Sequence, residues 1–287
     1  MSEMKKEKNI LTYRNAKGNI PIRITNDYLF KALMQKNAKV CKALTCSLLH
    51  LDPETVESAE VTNPIILGES INDKDVILDV NLHLNNNRVV NLEMQVVNKF
   101  NWPERSTYYA CRNFTALNKG DDYIQVKPVH QIGILNFTPL PEHPMFYSTY
   151  MLSEIHGHHI YTDKFSIATL DLTNINLATA EDKAYNIDKW ARFFKAQTWE
   201  DIKMLAEKNE AIDDAATTVY QLSEDERIRL QCQAREDYER DQRTVQHYIE
   251  MQAKALEEQT KAFEEQTKVL AEKSALIAEY EARYGKL

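Results

Sequence analysis

The chain has 287 residues, of which 43% are hydrophobic, a length and composition that suit one sizeable domain with an appendage. It contains no apolar run of about 18 residues and no apolar leader, so we expect neither a membrane span nor a secretion signal. Its four cysteines are scattered without a CxxC pair, which favours a reducing cytoplasm over a disulfide framework.

The acidic charge is concentrated in the C-terminal part of the chain. The formal net charge is -8, and residues 200–287 hold 21 acidic and 13 basic residues, which leaves 22 of each before residue 200. A bound cation and a local basic patch can attract DNA where the overall charge does not. The charge balance therefore neither indicates nor excludes DNA as a partner.

The hydrophobic pattern predicts four successive parts: an N-terminal segment at 1–24, an α/β core at 25–185, a helical subdomain at 186–222, and a long charged amphipathic helix at 223–287 that can form a coiled coil. The core begins with a predicted helix from Thr25 to about Leu51, because apolar residues recur there at helical spacing. Asp27 lies in its first turn, where a carboxylate either complements the helix dipole or serves a site.

A β-hairpin follows, and it brings two carboxylates together. Residues 76–84 and 90–96 alternate between apolar and polar side chains, and a three-residue loop would pair Leu84 with Arg88. That register places Asp79 opposite Glu93, with Gln95 on the same face. A slip of one residue would put Glu93 on the apolar face, so the parity is well determined. A shift of two residues stays open, and it would keep both carboxylates on the same face.

Further helices and strands complete a mixed α/β core after the hairpin. A helix is predicted at 104–119, between Pro103 and Gly120, with Arg105, Tyr109 and Arg112 on one side. Strands are predicted at 124–137 and 159–172, separated by a proline-rich loop, and helices from Ile187 onward. The side that carries Arg105 can contact nucleic acid or simply pack on the sheet.

The C-terminal helix contains a tandem repeat. ALEEQTK at 255–261 is followed directly by AFEEQTK at 262–268, and one apolar column recurs every seven residues: Ile249, Leu256, Phe263, Leu270, Ile277 and Tyr284. This column predicts a homo-oligomer formed through the helix, although the second coiled-coil column is mostly polar. The polar face is acidic, which argues against a membrane surface as the partner.

Two carboxylates on adjacent strands repel each other, and a divalent cation removes that penalty. Oxygen ligands at this spacing suit Mg²⁺ or Mn²⁺, which can activate a water for attack on a phosphodiester. Asp79 and Glu93 are therefore candidate metal ligands, and Gln95 could orient the water or contact the phosphate. The alternative for Asp79 is a solvated strand residue, and the HGHH segment at 156–159 lacks metal-site spacing and reads as a loop.

Asp79 in ILDVNL and the Glu93-Met94-Gln95 tripeptide in NLEMQ resemble the D…ExK core of PD-(D/E)XK nucleases, with glutamine in the lysine slot. The chain specifically resembles the Rpn family of recombination-promoting nucleases and transposases. The likeness extends to NDYLFKALM at 26–34, ERSTYYACRNFTALNKGDDY at 104–123, HQIGILNF at 130–137 and the WARFF helix.

This resemblance implies a bacterial, metal-dependent DNA endonuclease of the restriction-endonuclease-like fold, with a four-stranded mixed sheet flanked by helices. It implies that Gln95 is a usual form at its position, that Asp27 joins the site, and that Arg105 and Tyr109 border it. A second hypothesis stands beside it. The missing lysine and the neutral core are also compatible with a silent nuclease fold that oligomerises through its C-terminal helix.

Overall fold

The protein is described by a computed structural model that covers residues 12–65, 67, 79–85, 87–115, 117 and 120–285. It divides into two units, Met1–Asp237 and Tyr238–Leu287. The first unit holds a mixed six-stranded sheet, and its strands are β1 Ala59–Val61, β2 Val80–Leu84, β3 Arg88–Gln95, β4 Val129–Leu135, β5 Tyr147–Met151 and β6 Phe165–Asp171. The α/β class predicted from the sequence is confirmed.

The strand order is β1-β2-β3-β4-β6-β5. The pairs β3–β4 and β4–β6 are parallel, whereas β1–β2, β2–β3 and β5–β6 are antiparallel. The four-stranded sheet implied by the family resemblance is thus extended at its two edges, by β1 and β5.

The described residues form eight α-helices: α1 Asp27–Lys36, α2 Ala38–Leu48, α3 Trp102–Phe114, α4 Ala180–Ala184, α5 Ile187–Lys195, α6 Trp199–Ala206, α7 Glu210–Glu224 and α8 Glu226–Tyr284. Helix α8 contains 59 residues and confirms the predicted long C-terminal helix. Over the ranges that the structure describes, no helix has the length and apolar character needed to cross a membrane.

The hairpin has the predicted register wherever it is described. Leu84 pairs with Arg88, Leu82 with Val90, and Val80 with Leu92. The predicted pair of Leu78 with Met94, like the strand residues 76–78, involves positions outside the described residues. The apolar side chains of β2 and β3 are buried, as the alternation requires.

The single helix predicted from Thr25 to Leu51 is wrong, because the chain forms two helices that meet at Asn37. This residue has an extended backbone with φ -128° and ψ 93°, and its side-chain oxygen accepts a hydrogen bond from the amide of Val40. Asn37 therefore ends α1 and caps α2, a use of asparagine that continuous apolar periodicity hides.

The sheet lies between two helical layers. Buried side chains of α1, α2, α5, α6 and α7 join the apolar residues of the sheet in one core. Helix α3 covers the opposite face, where the indole of Trp102 lies against Gly133 of β4 so closely that an added Cβ would be 2.1 Å from it. The helices predicted at 186–222 lie within the first unit.

Candidate active site

Asp79 and Glu93 are buried at the open end of the β2–β3 hairpin. Each side chain belongs to a residue that is only 5% exposed. Asp79 directly precedes Val80, the first residue of β2, and Glu93 directly follows Leu92, the partner of Val80. Burial raises the pKa of Glu93, and the charge of Asp79 adds to that shift, so the two carboxylates lie within electrostatic reach of each other.

Asparagine side chains hold the Asp79 carboxylate. Asn91 Nδ2 donates to Asp79 Oδ2 and, at 2.6 Å, to Asn81 Oδ1, while Asn63 Nδ2 donates to Asp79 Oδ1 at 3.3 Å. Sequence reasoning did not select Asn91, although the strand alternation that puts Glu93 and Gln95 on one face includes it. Asn63 gave no sequence signal, because it lies in a bend before the hairpin.

Glu93 is held by one partner at one of its two oxygens. Arg105 Nε in α3 donates to Glu93 Oε1 at 2.7 Å, whereas the buried Oε2 accepts no hydrogen bond from the described part of the chain. Burial raises the pKa of Glu93, Arg105 opposes the shift, and the charges of Asp79 and Asp27 add to it. The site thus contains a carboxylate oxygen that is ready for another partner.

Gln95 lies two residues beyond Glu93 on the same face of β3, as predicted. Its Nε2 donates to the carbonyl of Val97 at 3.2 Å, and its buried Oε1 has no hydrogen-bond partner among the described residues. This geometry presents a second oxygen donor and no positive charge.

Asp27 is the first residue of α1, and it forms an ion pair with Arg235 of α8. Arg235 Nε lies 3.1 Å from both carboxylate oxygens of Asp27, and the Arg235 Nη2 atom donates to Oδ2 as well. Asp27 therefore links α1 to α8 in addition to its place in the first turn of α1. Burial raises the pKa of Glu93, and the charge of Asp27 is the smallest contribution to that shift, so Asp27 lies within electrostatic reach of Glu93.

Lys31 lies one helical turn after Asp27, and sequence reasoning did not select it. Its Nζ donates to the backbone carbonyl of Asp79 at 2.8 Å, and the residue is 2% exposed. Burial lowers the pKa of Lys31, while the charge of Asp79 opposes that shift. The four-residue spacing from Asp27 was the available signal, because residues i and i+4 share one side of a helix.

The predicted nucleic-acid residues form a stacked group on α3. The guanidinium carbons of Arg105 and Arg112 lie 5.1 and 4.7 Å from the ring centroid of Tyr109. Tyr109 is buried, Arg112 is exposed, and Arg105 is partly buried by its contact with Glu93. The structure therefore brings this group to the edge of the carboxylate pair.

The donors at this site fit a hard divalent cation. They are the two buried carboxylates and the amide oxygen of Gln95, and both Glu93 Oε2 and Gln95 Oε1 are without a hydrogen-bond partner in the part of the chain that the structure describes. Across the described residues, no group of three or more His, Cys, Asp or Glu side chains is arranged to hold a metal ion. A cation would therefore be held by two carboxylates, with amide oxygen and water completing its shell.

The HGHH segment is a loop, as the sequence indicated. The carboxylate of Glu154 accepts hydrogen bonds from the backbone amides of His156 and Gly157, which closes the turn. The described histidines of this loop contribute to no metal cluster.

Comparison with protein families gives one finding that bears on this site. A family model described as a PD-(D/E)XK nuclease family transposase matches residues 24–249, which include α1, the hairpin and α3. Searches among curated proteins and among solved structures found no match.

Proposed function

This chain belongs to the PD-(D/E)XK nuclease family of transposases, and from that premise we propose that it is a metal-dependent endonuclease that hydrolyses DNA phosphodiester bonds with Mg²⁺ or Mn²⁺. The observation that carries the proposal is the buried pair of Asp79 and Glu93, in which Glu93 Oε2 has no hydrogen-bond partner among the described residues. Like charges are buried this closely only where another group compensates them.

In this proposal Asp79 and Glu93 are the metal ligands. A divalent cation, when bound, supplies acidification of a water and stabilisation of the charge that develops at phosphorus. Asn91 and Asn63 hold the Asp79 carboxylate in one orientation, and Arg105 holds one oxygen of Glu93. Glu93 Oε2, which has no hydrogen-bond partner among the described residues, can then meet the cation, and the oriented Asp79 carboxylate supplies the second ligand.

Gln95 and Asp27 have supporting roles. The unpartnered Oε1 of Gln95 can accept a hydrogen bond from the attacking water and so fix its direction. Asp27 borders the carboxylates from α1 and is anchored by Arg235. Its charge adds to the negative potential that attracts a cation.

DNA contact is proposed for the stacked group on α3. Arg112 is exposed beside the ring of Tyr109, and Arg105 reaches from the same helix to Glu93. A phosphate that contacts Arg112 would therefore lie on the side of α3 from which Arg105 reaches Glu93. The four free cysteines agree with the reducing cytoplasm expected from the sequence.

The test is cleavage of supercoiled plasmid by purified protein with Mg²⁺, with Mn²⁺ and with chelator. We expect nicking and linearisation that need the metal and that fall by on the order of 100-fold or more in Asp79→Asn and Glu93→Gln. Glu142→Gln, which removes an exposed loop carboxylate, is the matched control and should cleave like the wild type. Equal cleavage by the wild type and Asp79→Asn would refute the proposal.

Self-association through α8 is a second proposal, and it stands whether or not the site is catalytic. The six residues of the apolar column from Ile249 to Tyr284 are each between 60% and 74% exposed. A continuous row of exposed apolar side chains is typical of a surface that binds a partner. A second copy of the same helix would cover it, as in a coiled coil. If the plasmid assay is negative, this interaction is the function that remains.

The oligomeric state tests this second proposal directly. Leu270→Glu places a charge in the apolar column, and Ala275→Glu places the same charge on the other side of the helix. We expect Leu270→Glu to weaken association by about tenfold or more in sedimentation and light scattering, with Ala275→Glu unchanged. A wild-type chain that stays monomeric at high concentration contradicts the proposal.

A further inference from the structure

A buried lysine lies beside the carboxylate pair and has no part in the mechanism above. Lys31 is 2% exposed, and among the described residues it is the one lysine in the interior. Burying an ammonium group costs several kcal/mol, so this position would favour an apolar residue such as its neighbours Phe30 and Ala32 unless the charge has a use.

The hydrogen bond of Lys31 does not by itself explain the residue. Its acceptor, the carbonyl oxygen of Asp79, also accepts from Asn63 Nδ2 at 3.1 Å. The carbonyl would therefore keep a partner if Lys31 were apolar. What Lys31 alone brings to Asp79 is a positive charge.

The charges around the site point to the same conclusion. The charges of Asp79 and Asp27 both act on Glu93, and Gln95 contributes no positive charge. The motif in the name of the matched family ends in a lysine two positions after its acidic residue, and Gln95 stands two positions after Glu93. The ammonium group of Lys31 lies at the start of β2, next to the backbone of a proposed metal ligand.

We propose that Lys31 of α1 supplies to this site the fixed positive charge that Gln95 does not, and that it is a positioning residue for Asp79. The inference rests on the proposed nuclease function, because it assigns a role within the same site. The Lys31 ammonium group, held 2.8 Å from the Asp79 carbonyl oxygen, balances the charge of the carboxylates, so that the anionic phosphate can approach them.

Two substitutions separate the charge from the hydrogen bond. Lys31→Gln removes the charge and keeps a donor for the Asp79 carbonyl, whereas Lys31→Met removes both at similar volume. Lys36→Met, which removes an exposed lysine from the same helix, is the matched control. Thermal melting of each variant establishes that it is folded.

The informative readouts are Mn²⁺ affinity, measured by calorimetry, and plasmid cleavage. Without the neighbouring positive charge the carboxylates attract a cation more strongly, so both Lys31 variants should bind Mn²⁺ on the order of tenfold more tightly. The same loss of charge should reduce cleavage by on the order of 100-fold. If Lys31 had only a structural role, its replacement would instead lower both the Mn²⁺ affinity and the rate of cleavage.

A rescue variant completes the test. In Lys31→Met/Gln95→Lys, the new lysine on β3 restores a positive side chain to the site. We expect this double variant to recover about tenfold or more of the lost cleavage. The inference is overturned if Lys31→Gln cleaves like the wild type, or if the Lys31 variants lose Mn²⁺ affinity as well as cleavage. It is also overturned if Lys31→Met/Gln95→Lys cleaves no better than Lys31→Met, or if neither single variant folds. A wild type that neither binds Mn²⁺ nor cleaves refutes the nuclease itself, which is a distinguishable result.

Discussion

Replacing Gly133 with alanine tests how α3 is seated on the sheet beside the site. An alanine Cβ at this position would lie 2.1 Å from Cζ2 and 2.4 Å from Cη2 of Trp102. Carbon atoms pack at about 3.5–4.0 Å, so the indole would have to retreat by about 1.4 Å or more. Overpacking of this kind lowers the free energy of unfolding by about 1–3 kcal/mol. Each kcal/mol lost lowers the melting temperature by about 2–4 °C.

The displacement should also reach the chemistry, because Trp102 opens α3 and Arg105 follows it by one turn. Gly133 pairs with Glu93 across β3 and β4, and Arg105 bonds that carboxylate. We therefore expect Gly133→Ala to lower plasmid cleavage as well as stability. A shift of α3 by about 1 Å would suffice to lengthen the Arg105–Glu93 contact beyond hydrogen-bond range.

Urea unfolding of the wild type, Gly133→Ala, Trp102→Leu and the double variant measures the effect. Trp102→Leu removes the ring that the new methyl group would strike, so the double variant should be less destabilised than the sum of the singles by about 1 kcal/mol or more. If Gly133→Ala unfolds within about 0.5 kcal/mol of the wild type, or if the two effects add, the packing argument fails.

Two further predictions concern the ion pair of α8 and the interior of the sheet. Arg235→Gln should lower the free energy of unfolding by about 1–3 kcal/mol, because it leaves the partly buried Asp27 carboxylate without its positive partner. In urea unfolding, the double variant with Asp27→Asn should regain part of that loss. Equal stability of the single and double variants would contradict this prediction. Burial lowers the pKa of His130 to about 4, from an ordinary value of 6.5, while its Nδ1 lies 2.7 Å from Ser166 Oγ. As the pH falls from 6.5 to 4, His130 is therefore protonated in the unfolded chain but stays neutral in the folded chain. This difference lowers the free energy of unfolding by up to about 3 kcal/mol. His130→Asn should lose less stability than the wild type between pH 7 and 4.5, and parallel pH profiles would contradict this.

The sequence was most informative where one face of an element is buried and the other is not. In the β2–β3 hairpin, a slip of one residue would have buried Glu93 among apolar side chains, so alternation alone determined the parity of Asp79 and Glu93. The register of Leu84 with Arg88 followed from the loop length. Local patterns therefore sufficed to predict the register of the hairpin that carries the candidate carboxylates.

Edge strands and breaks between helices were harder to predict, for physical reasons. Strand β5 is exposed along much of its length and pairs only with β6, so its residues show no clear alternation of burial. Strand β1 has three residues, too few for a period to appear. At Asn37 the apolar periodicity continues through a break that only the side-chain cap reveals.

The partners of the site residues were beyond the reach of local patterns. Arg235 lies 208 positions from Asp27, and nothing in either local sequence indicates the other. Arg105 was predicted to contact nucleic acid, whereas in the structure its Nε bonds Glu93, a contact that depends on how α3 packs. Such long-range pairs arise from tertiary packing and require the fold itself.

Calorimetric titration of the purified protein with Mn²⁺ is the most direct test of the central claim, that Asp79 and Glu93 together bind a divalent cation. We predict saturable binding by the wild type and by Glu142→Gln, and a loss of affinity of about tenfold or more in both Asp79→Asn and Glu93→Gln. Mn²⁺ binding that is absent in the wild type, or that survives unchanged when either carboxylate is removed, would contradict the account.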